Sequence, residues 1–61
     1  MKPQMTSEEL RQLVECYINV EGYSDLRSIY IVMSREYSGE FERTRALQVI
    51  RDVLRKEHIS G

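Results

Sequence analysis

The sequence predicts an all-α fold. Three short helices are expected, the first two as an antiparallel helical hairpin with the third packed across it, completed by dimerisation. Three observations carry this expectation. Apolar residues recur at helical spacing in three blocks, Gly22 and Gly39 punctuate the gaps between them, and Thr6 with Glu9 forms a capping box ahead of the first. The helices are placed at about 7–21, 25–37 and 41–57, within one domain spanning 1–61.

The first helix has the clearest local signal. In "MTSEEL", Thr6 as N-cap puts Glu9 at the third helical position, while Met5 and Leu10 can staple the chain where it enters the helix. Leu10, Leu13, Val14, Tyr17 and Ile18 then form one apolar stripe, with Glu8, Arg11, Gln12, Glu15 and Asn19 away from it. Gly22 suits the left-handed residue that ends a helix in a Schellman motif, with Tyr23 folding back on Ile18.

Ser24 is expected to cap the second helix, and Asp25 in its first turn suits the positive end of the helix dipole. Leu26, Ile29, Tyr30, Met33 and Tyr37 share a stripe, whereas Ile31 and Val32 fall outside it and form part of a second apolar surface. A β-strand over "SIYIVMS" is the competing assignment, since Ile, Tyr and Val favour strands. Helix is preferred because a lone strand would leave its backbone groups without partners.

The segment "SGEF" is the next break, with Gly39 ending the second helix and Ser38 or Glu40 near the start of the third, which carries Ala46, Leu47, Val49, Ile50, Val53 and Leu54 on an apolar sector wide enough to touch two neighbours. Phe41 would face the polar side of a continuous helix, so it is expected to anchor the loop or to lie on an intermolecular contact. Lys56 and His58 suit the negative end of the dipole.

Composition excludes several classes. A 61-residue chain buries only roughly 60% of the surface its unfolded state exposes, which favours added burial from a partner. One cysteine and one histidine build neither a disulfide framework nor a four-ligand zinc site, so no metal and no cofactor is expected. The net charge of -1 supplies no global field towards nucleic acid or an anionic membrane. "MKPQM" leads directly into acidic residues and no run approaches a membrane span, so a cytoplasmic protein is expected.

Catalytic chemistry has little to stand on. Cys16 and His58 could pair as thiol and base, but nothing marks a third residue to orient the histidine. Cys16 therefore reads as a half-buried cysteine and His58 as a surface one. Glu8, Glu9, Glu40 and Glu42 are accounted for by helix starts, and a bundle this small has little room for a cleft, so no enzyme is expected. The leading expectation is a small interaction module, homodimeric and acting as a regulator or inhibitor of a larger protein, with Ile31, Val32, Phe41, Leu47, Ile50 and Leu54 as interface candidates.

The alternative is a small DNA-binding regulator that uses Arg45, Arg51, Arg55 and Lys56 on the third helix. A helix-turn-helix does not fit: with Gly39 in the turn, apolar positions fall on Ser34, Ser38, Glu40 and Arg45, and with Gly22 there, Glu21 and Ser28 break the pattern. Spacing also allows Asp52 to pair with Lys56 and Glu42 with Arg45, as on a solvated face.

Overall fold

The computed structural model describes residues 4–59, with side chains described for 4–57. Three α-helices follow one another, α1 (Ser7–Asn19), α2 (Leu26–Glu36) and α3 (Arg43–Ile59), and the described residues contain no strand. The Cα radius of gyration is 11.0 Å. A compact chain of this length is expected at about 10.5 Å, so the helices close on one another.

α1 starts as its sequence dictates. The Thr6 side chain accepts from the Glu9 N–H at 3.1 Å, and the Thr6 N–H donates to the Glu9 carboxylate at 2.8 Å. Two otherwise orphaned backbone donors are thereby satisfied. Leu10, Val14 and Tyr17, spaced by four and three residues, are buried, with Leu13 and Ile18 packed on the flanks. The helix ends at Asn19, two residues before the expected boundary, with Val20 as its C-cap. Gly22 does adopt a left-handed φ of 84°, but the N–H of Tyr23 reaches back to the carbonyl of Tyr17, one residue further than expected. The Tyr23 ring meets that of Tyr17 edge-on, with centroids 6.0 Å apart.

The segment 28–34 is helical, as expected. Its cap is Asp25 and not Ser24: the Asp25 carboxylate accepts from the Ser28 N–H at 2.8 Å, which is the bond an N-cap side chain makes. That bond, together with Arg27, holds the Asp25 carboxyl below its ordinary range despite full exposure. Ile29 and Met33 are fully buried, and Leu26, Tyr30 and Val32 pack around them.

α3 begins at Arg43, two residues later than expected, its first helical bond running from the Ala46 N–H to the Glu42 carbonyl. Phe41 therefore precedes the helix. It packs against the core with its ring edge-on to Tyr30, centroids 6.2 Å apart. Ala46, Val49, Ile50 and Val53 are buried, and this wide sector packs against both α1 and α2. The buried residues among those described belong to one apolar cluster drawn from the three helices. The Met5 N–H donates to the Glu40 carbonyl at 2.8 Å, tying the start of α1 to the connection between α2 and α3.

The Asp25 cap has a pH signature. Because its folded pKa lies below the unfolded value near 3.9, its contribution is present above that value and lost as pH falls through the depressed one. Asp25→Ala is expected to lower the melting temperature at pH 7, and thermal melts of the two proteins should converge as the pH drops below about 4.

Candidate functional site

Two outward faces stand out, on α2 and on α3. Relative to the middle of the buried pair Ile29 and Met33, a step of about 100° per residue puts Val32 and Tyr30 each about 80° away and Ile31 about 180° away. Val32 and Tyr30 thus reach the core from either side, and Ile31 points directly out of it. Ile31 is 54% exposed, and Val20 at 74% is the other large apolar side chain left exposed among the described residues.

The charges around Ile31 are lopsided. Arg27 and Arg35 lie four residues before and after it, on the same face, and both are exposed. The carboxylates of this helix region point to other tasks: Asp25 caps α2, and Glu36 accepts from the Tyr17 hydroxyl at 2.7 Å. The outward face of α2 therefore carries two guanidinium groups around one isoleucine.

The Tyr17–Glu36 bond joins the end of α1 to the end of α2 at a half-buried position. Burial first, and then donation to Glu36, push the Tyr17 phenol above its ordinary range, so it remains a proton donor. The spacing of Glu36, three residues after Met33 and seven after Ile29, was the signal for this contact. A carboxylate on the apolar side of a helix calls for a donor, and a buried tyrosine supplies one.

On α3, Thr44, Arg45, Gln48, Arg51, Asp52, Arg55 and Lys56 are all exposed on the side away from the core. The pairing expected from spacing is absent among the described residues: Asp52 accepts from the Gln48 side-chain amide at 3.1 Å, and neither Lys56 nor Arg45 forms an ion pair. Exposed pairs of this kind are worth so little that spacing alone does not form them.

The interface candidates are dispersed. Ile31 is exposed, Leu47 is half-buried, and Val32, Phe41 and Leu54 pack against the chain's own core. Ile50 is fully buried within that core, so it offers no surface. Cys16 is exposed and not half-buried as expected, lying well off the stripe set by Leu10, Val14 and Tyr17. The side chain of His58 lies outside the described residues, so its pairing with Cys16 does too. No group of three or more metal-ligating side chains occurs among the described residues, and none of their helices is long and apolar enough to cross a membrane. Comparison with protein-family models, with curated proteins and with solved structures finds no match.

Removing the Tyr17 hydroxyl tests the link between the helices. Tyr17→Phe is expected to cost about 1 kcal/mol at pH 7 in denaturant unfolding. With a folded pKa above the unfolded value near 10, the contribution of Tyr17 is intact below pH 10 and is lost as the pH rises further, so the variant should lose less stability there than the parent.

Proposed function

We propose that this chain is a small non-enzymatic protein–protein interaction module, a homodimeric regulator or inhibitor that acts by binding a larger protein. The observation that carries the reading is Ile31, left 54% exposed by the described residues at the centre of the outward face of α2. A scattered exposed apolar residue needs no explanation, but this one sits between two exposed arginines on a helix whose acids accept hydrogen bonds elsewhere. Such a surface suits a partner that offers apolar contact and carboxylates together.

The same proposal takes α1 and α2 as an antiparallel hairpin with α3 across both. The bond from Met5 to Glu40 favours it by bringing the start of α1 beside the connection that follows α2, while the Tyr17–Glu36 bond, between the C-terminal ends of the two helices, weighs against a close side-by-side pair. A cytoplasmic setting belongs to the proposal as well, supported by the single unpaired thiol of Cys16.

A second reading, contact of α3 with DNA, is favoured by one specific observation: Arg45, Arg51, Arg55 and Lys56 share an outward side and form no ion pair among the described residues. Four uncommitted cations on one helix fit phosphates better than four paired ones.

Two measurements separate these readings. Sedimentation at micromolar concentration should give a dimer for the parent and a folded monomer for Ile31→Asp, while Val32→Asp, which places a charge against the core, should unfold by circular dichroism. A parent that stays monomeric overturns the dimer. For the second reading, a duplex of random sequence should be shifted at about 50 mM salt by the parent and not by Arg51→Ala with Arg55→Ala; no shift by the parent ends it.

A further inference from the structure

The outward face of α2 carries charge of one sign. At about 100° per residue, Arg27 and Arg35 lie roughly 40° to either side of Ile31, and exposed Ser28 and half-buried Ser34 roughly 60° to either side. The acids are elsewhere: Glu36 lies roughly 140° round, where it meets Tyr17, and Asp25 precedes the helix as its cap. Asp25 is near enough to Arg27 to feel its charge, but both are exposed and the carboxylate holds the Ser28 N–H, so the guanidinium is still available to a partner.

The spacing of this face describes what fits it. Arg27 and Arg35 are about 12 Å apart along the helix axis, with Ile31 midway, and a second helix repeats that interval in residues four apart. The serines beside Ile31 are small, so a partner's backbone can approach closely, and half-buried Tyr30 and Val32 add apolar area at the margins. We infer that this face receives an acidic amphipathic helix of the larger protein, with an apolar residue seated on Ile31 and a carboxylate on each guanidinium. This rests on the reading of the chain as an interaction module and adds the chemistry and form of the segment bound. A helix satisfies its own backbone, whereas an extended segment needs a sheet edge, and the described residues contain no strand. A second copy fits less well. A two-fold contact centred on Ile31 sets guanidinium against guanidinium, so a helix that brings carboxylates displaces it.

The test uses the full chain and a synthetic helical peptide that carries one leucine, with a glutamate four residues before it and another four after. Two control peptides exchange the glutamates for lysines or the leucine for alanine. Binding is read from backbone amide shifts in NMR, with peptide in large excess. The glutamate peptide should move the amides of α2 around Ile31 and leave those of α3's outward side in place, and each control should bind roughly tenfold more weakly or worse. Arg27→Glu with Arg35→Glu, shown to be folded by circular dichroism, should reverse the preference and take the lysine peptide.

No shift, shifts confined to α3, or equal binding of the three peptides overturns the inference without recourse to any variant. A folded charge-reversed protein that keeps the parent's preference overturns it too. Random duplex DNA at about 50 mM salt should leave α2 in place, and α2 shifts as large as the peptide's would assign the face to phosphates instead. Sedimentation separates this inference from the homodimer. A dimer that excess peptide fails to displace makes the second copy the occupant and overturns the inference while the dimer stands; a monomeric parent that binds the glutamate peptide selectively overturns the homodimer and supports the inference.

Discussion

The fold depends on α3 serving two partners at once. α1 and α2 each offer a single apolar stripe, and neither stripe is wide enough to close a core alone. α3 presents Ala46, Val49, Ile50 and Val53 over a broad sector and packs against both of the others. The small side chain of Ala46 and the β-branched Val49, Ile50 and Val53 suit such a position, since they leave room for larger residues such as Leu10, Met33 and Tyr17 to fill. The rest is trimming around that packing: the capping box fixes where α1 starts, Asp25 fixes where α2 starts, and Tyr17 ties the ends of α1 and α2 together through Glu36.

How much was legible in the sequence follows from how local each feature is. The Thr6 box was readable because its partners are three residues apart and no other residue competes for the role. The start of α2 was misread by one residue because Ser24 and Asp25 are both good caps, and only the backbone geometry decides between them. The start of α3 was placed two residues early, although the mismatch of Phe41 with the apolar sector already marked it as a loop anchor; which residue it anchors to, Tyr30, was not readable. That neighbour comes from another helix, and spacing along one chain segment does not reveal it.

The candidate site divides along the same line. Ile31 was recognisable as an outlier from periodicity alone, since it lies opposite Ile29 and Met33 on any regular helix. Val32 was grouped with it because the width of the buried sector was unknown. Only with the neighbouring helices packed around α2 does the core extend far enough to take Val32 in. The arginines of α3 went the opposite way: spacing permitted ion pairs, but the gain from an exposed pair is too small to hold two long side chains in one geometry. Their freedom is a property of the solvated surface, not of the pattern.

These placements change the reason a second copy would bind. From the sequence, dimerisation looked like a way to finish an incomplete core, with Val32, Ile50 and Leu54 as part of the contact. Within the folded chain Ile50 and Val53 are already covered, and Val32 and Leu54 pack against the same cluster, so the core is closed without a partner. A dimer built on Ile31 would then join two folded chains through surface groups. Such a contact resembles a transient interface, in which a few apolar anchors are framed by polar groups, more than an obligate one that looks like a core cut in half. An association of that kind is reversible at concentrations where the monomer stays folded, which is the property a small regulator needs if the same surface is to be handed from its own copy to a larger target.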